Sequence, residues 1–384
     1  MSDLLLLGMT HYPLLATTDD MMAALLRNTL QDPMIPTDAA DSTNWSPAMQ
    51  AEWGTDGARA SAAGHRTALR EGFTAARTAI EEFNPDLILV LGDDQYENFK
   101  EDIIPPYALL AYDDIDCHPW EKYPWPNVWG EAKDKRFRVK GRPDVARWLA
   151  EKLLDDGIDV AYAYKPLHFN GLAHAFLNTQ LFLDYDRTYD SDGFPWPLVC
   201  MPINCYGRRV IAARGFAKPF GEKLELDPPS PSPRRLMEVG GAVARHLLDS
   251  PWRVAVVASS SWSHAFLTDK TWRLHPDIAN DRRLYNALAA GNWAEWAGTT
   301  TAQIEDAGQQ EVLNWFALCG AARELGLGAP AAHNFVETHC FNSNKVFARW
   351  DVVAGTNPGS ASGGAANAGA ANAGTANTGT AVGS

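Results

Sequence analysis

Several apolar runs of this sequence end in side chains that can exchange protons or bind a metal ion. In LILVLGDDQYENF, residues 87–99, six apolar or small residues lead directly into a group of hydrogen-bond acceptors. If such runs are neighbouring parallel strands, their carboxyl ends meet at one edge of a sheet, where binding sites gather. The polar residues that follow these runs are His11 after 3–9, Asp93, Asp94, Gln95 and Glu97 after 86–92, His168 and His174 after 159–164, and His264 after 253–260.

Imidazoles and carboxylates in this pattern suit two kinds of chemistry. An imidazole has an unperturbed pKa of about 6.5, so it can accept or donate a proton near neutral pH. Together with a carboxylate it can also bind a divalent metal ion. Glu311 adds a carboxylate in DAGQQEVLNWFALCGAARELG, near the start of a predicted helix, where the helix dipole favours a negative charge. A structural role for any one of these residues remains the simpler alternative.

The segments that position these residues predict an α/β fold. Helical spacing is found in 58–83, 231–250 and 308–328. The apolar runs lack strict alternation, which is typical of strands covered on both faces by helices. We therefore expect a central, mostly parallel or mixed sheet flanked by helices. The predicted strands are 3–9, 86–92, 159–164, 197–204 and 253–260.

Composition limits the classes of partner and the domain organisation. The 384 residues carry a net charge of −14, which disfavours binding to nucleic acid. Five cysteines without a CxxC motif predict neither a disulfide framework nor a thiolate zinc site. The N-terminal apolar run has four leucines and no basic flank, so we expect a soluble, cytoplasmic protein. Residues 1–352 are predicted to form one catalytic domain, and 353–384, rich in Ala, Gly, Asn and Thr, a disordered tail.

One long segment without periodicity, residues 113–136, is rich in proline and tryptophan. Long loops in compact domains often act as lids. We therefore predict that Trp120, Trp125 and Trp129 belong to a lid that stacks on an aromatic ligand.

The order of motifs resembles the class III extradiol ring-cleaving dioxygenases, the group similar to the protocatechuate 4,5-dioxygenase β-subunit. The resemblance covers roughly residues 3–325, and its motifs are loose singly but fairly specific in this order. The matching stretches are GMTHYPLL with His11, NPDLILVLGDDQYENFKEDIIPPYALL with Gln95, GLAHAFLNTQLFL with His174, VCMPINCYG, ASSSWSHAF with His264, and AGQQEVLNWFALCGA with Glu311.

The resemblance implies an enzyme of aromatic compound catabolism that uses non-haem Fe(II) and O2 to open a catechol-type ring, as in protocatechuate, gallate or methylgallate. It assigns His11, Gln95 and Glu311 to the metal, and His174 and His264 to proton transfer. Tyr96, Tyr107 and Asn204 are the expected substrate contacts. A homo-oligomer, with a dimer as the usual form, is also expected.

Gln95 departs from the family, which has a histidine at this position. Three interpretations follow: Gln95 binds the metal through its amide oxygen, Asp94 or Glu97 replaces it as the ligand, or the site binds no metal. The alternative functions are a non-catalytic homologous subunit of a dioxygenase and another metal-dependent hydrolase or lyase on the same scaffold.

Overall fold

The central sheet has nine strands in mixed orientation. The computed structural model describes residues 2–123, 125–189 and 192–354. The sheet order is β6-β3-β7-β2-β8-β1-β10-β9, with β11 also paired to β1, and β4 and β5 form a separate two-stranded sheet. The strands are β1 Asp3–Met9, β2 Leu87–Asp93, β3 Ala108–Leu110, β4 Ile115–Cys117, β5 Phe137–Val139, β6 Ala161–Ala163, β7 Leu198–Ile203, β8 Val254–Ser259, β9 Ala332–Val336, β10 Lys345–Arg349 and β11 Val353–Ala354.

Four parallel strands form the middle of the sheet. β8 lies between β1 and β2, and β2 pairs on its other side with β7. The register places Met9 beside Ser259 and Asp93 beside Ile203, so all four strands end at the same edge. This arrangement confirms the predicted α/β class with a mixed sheet. It also brings the segments after the four strands together.

Helices cover both faces of the sheet, as the unbroken apolar runs predict. One core cluster includes Leu4, Leu89 and Val256, and the other includes Leu5, Val90 and Val257. The helices are α1 Ala24–Thr29, α2 Thr37–Ala40, α3 Pro47–Trp53, α4 Arg59–Phe83, α5 Pro119–Lys122, α6 Pro143–Asp155, α7 His174–Leu183, α8 Gly207–Ala212, α9 Pro233–Leu248, α10 Ile278–Ala289, α11 Trp293–Gly298, α12 Thr301–Asp306 and α13 Leu313–Glu324. No helix in the described ranges is both long and apolar enough to cross a bilayer.

The predicted helix over 308–328 begins differently from the expectation. A 3₁₀ turn over Gln310–Val312 precedes α13, so Glu311 lies in a tight turn rather than in the α-helix itself. Gly308 has a φ of +63°, and a Cβ there would come within 2.7 Å of the His264 carbonyl oxygen. This close approach brings the His264 loop against the Glu311 turn.

The prediction of a lid is wrong for Trp120. Its indole is almost completely buried in a core cluster, 5.5 Å between ring centroids from Trp129. The strands β4 and β5 give this segment a framework that its sequence did not suggest. The predicted tail also starts too early, because Val353–Ala354 pair with β1. The rest of that tail, 355–384, lies outside the described residues.

Candidate metal and proton-transfer site

His11 is fixed at the carboxyl end of β1 with one ring nitrogen free. Its Nδ1 lies 3.0 Å from the Ser259 carbonyl oxygen, and because a carbonyl only accepts, Nδ1 carries the proton. The unprotonated Nε2 then faces Glu311 Oε2 at 3.5 Å and Asp93 Oδ1 at 3.7 Å. Burial lowers the pKa of His11 to about 4, so its ring is neutral at pH 7. A neutral imidazole held by a carbonyl is the usual state of a histidine that binds a metal.

Asp93 is the last residue of β2 and its side chain is inaccessible to solvent. Its Oδ2 has no hydrogen-bond partner among the described residues, and Asn314 Nδ2 lies 3.4 Å from Oδ1. Burial, followed by the charge of Glu311, raises the pKa of Asp93 well above its usual value. Asp93 and Glu311 each lie within 3.7 Å of the same nitrogen of His11, and two buried carboxylates around one site need a proton or a cation to balance their charge.

Glu311 connects His11 to the loop after β8. Its Oε2 accepts a hydrogen bond from the Ser261 backbone N–H at 3.1 Å, and its Oε1 accepts one from the Tyr206 hydroxyl. His264 Nε2 lies 3.2 Å from the same Oε1. Burial alone would raise the pKa of Glu311, but the neighbouring histidines and Tyr206 outweigh it and hold the pKa below its usual range. Glu311 is therefore ionised.

His174, the first residue of α7, lies against the other side of His11. The two ring centroids are 5.0 Å apart, and His174 Nδ1 is 2.7 Å from Glu97 Oε2. Burial opposes the charged ring, but Glu97, then Asp93 and Glu311, outweigh it and raise the pKa of His174 to about 10. In the absence of a metal ion His174 is an imidazolium. Its Nε2 is the nitrogen left for a substrate or a metal.

These residues meet the chemical requirements of a divalent cation. One ligand atom from each of His11, Asp93 and His174 lies within 4.8 Å of the other two. Imidazole nitrogen and carboxylate oxygen are the ligands of non-haem iron sites. The unpartnered Asp93 oxygen is free to bind a cation, whose charge would balance the buried carboxylates. The site therefore fits a metal ion.

Among the polar residues after β2, Asp93 is the one that contacts His11. Gln95 donates its amide N–H to the Gly215 carbonyl at 2.6 Å. Asp94 accepts from the backbone N–H groups of Glu97 and Asn98, at 2.8 and 2.9 Å, and so shapes the loop. Glu97 orients His174 instead of facing His11. Sequence reasoning did not consider Asp93 as a ligand, although it ends the buried strand and comes before the residues that were considered.

The three residues predicted to contact the substrate form hydrogen bonds and packing contacts outside the cluster around His11. Asn204 Oδ1 accepts from the Gly207 backbone N–H at 3.0 Å, and Tyr107 is buried in a core cluster. Tyr96 has a φ of +61° and packs partly against the same cluster. Tyr206, which sequence reasoning missed, is the tyrosine that reaches Glu311. Contact of Tyr96, Tyr107 and Asn204 with substrate therefore stays a prediction.

His168 lies outside the cluster. Its Nε2 is 2.7 Å from the carboxylate of Asp102, and both side chains are partly exposed. It follows the same strand as His174, but the loop between β6 and α7 carries the two histidines to different places.

Asp281 of α10 holds the His264 loop in place. This buried carboxylate accepts hydrogen bonds from the Ser263 backbone N–H at 3.1 Å, from Gln309 at 2.6 Å and from Asn344 at 2.7 Å. Burial raises its pKa to about 7, although these bonds act in the opposite direction. Asp281 thus joins the loop that carries His264 to the turn that carries Glu311.

One part of the chain matches a known protein family. Residues 225–348, which include His264 and Glu311, match the family described as the catalytic LigB subunit of aromatic ring-opening dioxygenase.

Two relatives carry the name 2,3-dihydroxyphenylpropionate/2,3-dihydroxicinnamic acid 1,2-dioxygenase. The Comamonas testosteroni protein is 38% identical over 161 residues, 42% of this chain and 43% of that protein. A Pseudomonas putida protein, number 2 of that name, is 25% identical over 193 residues, 50% of this chain and 47% of that protein. Each match thus covers less than half of the relative's length.

A crystal structure of an uncharacterized Escherichia coli K12 protein aligns with 74% of this chain and 92% of its own, with a TM-score of 0.42 and 12% identity. Over residues 225–348 the chain is therefore similar to the catalytic LigB subunit of aromatic ring-opening dioxygenases, and the motif order predicts a resemblance to the same group.

Proposed function

We propose that this protein is a non-haem Fe(II)-dependent extradiol dioxygenase that opens a catechol-type ring with O2. The observation that carries the proposal is the meeting of His11, Asp93, Glu311, His174 and His264, from five separate segments, at one buried edge of the sheet. The family match over residues 225–348 supports the same reaction class.

His11 Nε2 and Glu311 Oε2 are the proposed ligands on which sequence and geometry agree. The third ligand is open to Gln95, as the resemblance implies, or to Asp93 or His174, which the distances favour. With His174 the set contains the two imidazoles that such sites commonly use. When bound, Fe(II) would supply the electron transfer between the ring and O2 that ring opening requires.

His264 is the proposed proton donor to the reacting oxygen. Its Nε2 lies against Glu311, whereas its Nδ1 is buried without a partner among the described residues. The hydrogen bond from Ser263 to Asp281 and the one from the His264 N–H to the Gly308 carbonyl, 2.8 Å, hold the loop still. A fixed imidazole can transfer a proton without first being reoriented.

The geometry of His174 allows two roles. With Nδ1 bonded to Glu97, Nε2 can bind the metal once the ring has lost its extra proton, or, as the resemblance implies, take a proton from a substrate hydroxyl when the charge of a bound metal ion has made the ring neutral. A histidine whose other nitrogen is bonded to a carboxylate is typical of metal ligands. Loss of iron after substitution would identify a ligand, and loss of turnover with iron retained would identify a proton-transfer residue.

The test is oxygen uptake by protein prepared anaerobically with Fe(II), measured on protocatechuate, gallate and other catechols. Glu311→Ala should lose iron and activity, and His264→Ala should keep iron and lose activity. His168→Ala is the matched control, because His168 pairs with Asp102 away from the cluster and should change neither. Zinc in place of iron would favour a hydrolase or lyase, and protein that binds no metal and takes up no O2 would favour a non-catalytic subunit.

A further inference from the structure

A cavity of about 380 Å³ adjoins the proposed site on the side of Tyr206 and Gln310. Tyr206 lines it and donates to Glu311, and Phe266 lines it with its ring centroid 5.6 Å from that of His264. A cavity of roughly 150 Å³ can hold a benzene molecule. This cavity is therefore larger than a single aromatic ring requires.

Aromatic and aliphatic side chains form much of the cavity wall. Phe216, which is 74% exposed, is one of the lining residues. Phe220 is held on one side by Trp272, 5.7 Å between ring centroids, and on the other by the Arg273 guanidinium, 4.1 Å from its ring. Phe266, Leu267 and Leu224 continue this surface toward His264. Such a wall favours an apolar occupant.

Each positive charge around the cavity lies beside a carboxylate, with Arg209 and Arg273 sharing Asp269. Every arginine and lysine that lines it, within the described ranges, has a carboxylate partner. The pairs are Arg208–Glu305 at 3.1 Å, Arg209–Asp269 at 2.5 Å, Arg273–Asp269 at 2.8 Å and Lys218–Glu222 at 2.9 Å. An anionic substituent on the substrate would have to compete with one of these carboxylates for its cation, whereas an apolar substituent would not.

Gln310 supplies one unsatisfied acceptor at the end of the cavity beside Glu311. Its side chain is only 8% exposed, and its Oε1 has no hydrogen-bond partner among the described residues. A buried acceptor without a partner is destabilising, so a ligand that donates a hydrogen bond to it gains that interaction. A ring hydroxyl is such a donor.

The wall formed by residues 213–224 is anchored to the loop after β2. Gln95 donates to the Gly215 carbonyl at 2.6 Å, and Arg214 pairs with Glu101 at 3.2 Å. Gly215 has a φ of +90°, and a Cβ there would come within 2.6 Å of the Gln95 carbonyl oxygen. Only glycine permits this approach without strain. The cavity therefore exists before a ligand enters it.

We propose that this cavity is a subsite for a bulky apolar substituent, such as an aryl group, on the ring of the substrate. The inference rests on the proposed dioxygenase function and narrows its substrate class. With an apolar subsite, the substrate of this chain would differ from those in the relatives' names, which carry a carboxylate side chain. The cations that line the cavity are already paired and so do not favour a carboxylate.

The experiment compares anaerobic binding of two probes to the Fe(II)-loaded protein by titration calorimetry. The probes are catechol and a phenylcatechol with the phenyl group beside one hydroxyl. Burial of the phenyl group should give the second probe an affinity about tenfold higher or more. Ala302→Trp should abolish that preference and leave catechol binding unchanged, because Ala302 lines the cavity from the exposed surface of α12. Ala302→Ser is the matched control and should retain the preference.

The outcomes distinguish a failure of the subsite proposal from a failure of the proposed function. Equal affinities, or a preference that survives in Ala302→Trp, would overturn the subsite even if both probes are turned over. A preference that Ala302→Trp abolishes, without O2 uptake on either probe, would support the subsite and contradict the dioxygenase function. If neither probe binds, both proposals are wrong. Tighter binding of a propionate-bearing catechol than of the phenylcatechol would also overturn the apolar subsite.

Discussion

Asp93 Oδ1 lies 3.7 Å from His11 Nε2, although Asp93 ends β2 and His11 follows β1, two strands that are not adjacent in the sheet. β8 separates β1 from β2, and the two side chains meet beyond its end. This contact brings a buried carboxylate next to His11, whereas the resemblance implies Gln95 as the neighbouring ligand.

Asp93→Asn should reduce Fe(II) affinity by about 100-fold or more if Asp93 is a ligand, because an amide oxygen carries no charge to balance the metal. Substitution of an outer residue typically costs 10–100-fold, so a ligand should cost at least that. Gln95→Leu should keep the metal under the same interpretation, since Gln95 bonds to Gly215. The measurement is iron content after anaerobic loading and dialysis.

The opposite result would restore the assignment that the resemblance implies. If Gln95→Leu loses iron and Asp93→Asn keeps it, the amide oxygen of Gln95 is the ligand. Circular dichroism spectra of both variants would show whether the loop after β2 has kept its structure.

Glu97→Gln should weaken the orientation of His174, because the carboxylate accepts from its Nδ1 at 2.7 Å and from its backbone N–H at 3.2 Å. With the charge removed, the pKa of His174 should fall from about 10 toward its ordinary value, which can be followed by NMR of the metal-free protein. His174→Ala then distinguishes the two roles through iron content and turnover measured on the same sample. An unchanged titration in Glu97→Gln would show that Asp93 and Glu311 dominate.

Tyr206→Phe removes the hydroxyl that donates to Glu311 Oε1. Glu311 then loses a donor that holds its carboxylate in place, and metal affinity should fall by about tenfold. Isothermal titration with Fe(II) under anaerobic conditions measures the change. An unchanged affinity would limit Tyr206 to lining the cavity.

Asp281 predicts a pH dependence of stability with a definite sign. Its folded pKa of about 7 lies above the value of about 3.9 for an unfolded aspartate, so the folded state binds a proton more tightly. The contribution is therefore fully present below about pH 4 and is lost as pH rises through about 7. The free energy of unfolding of the wild type relative to Asp281→Asn should fall by on the order of 4 kcal/mol between these limits.

Denaturant unfolding of both proteins at several pH values measures this difference. A difference that does not change with pH would mean that Asp281 stays ionised throughout. In that case the hydrogen bonds from Ser263, Gln309 and Asn344 would outweigh the cost of burial.

The main elements of the fold could be predicted from the sequence because their signals are local. The apolar run over 3–9 predicts β1 with the observed bounds, and the helical spacing in 58–83 predicts α4 to within one residue. His11 and His264 could be selected because they follow predicted strands, and Glu311 because it lies near the start of a predicted helix. The burial of a residue can be predicted within a single segment when it follows from the period of the hydrophobic residues and from the composition.

Contacts between segments could not be predicted in the same way. Asp93 faces His11, and Gln95 does not, because of the direction that each side chain takes as β2 ends. Gln95 instead bonds to Gly215, which lies in a segment more than a hundred residues away. The separation of His168 from His174 likewise follows from the path of one loop. The sequence by itself determined which side chains were available and which strands would carry them. Only the tertiary structure decided which of them meet, because register and packing set distances that no local pattern contains.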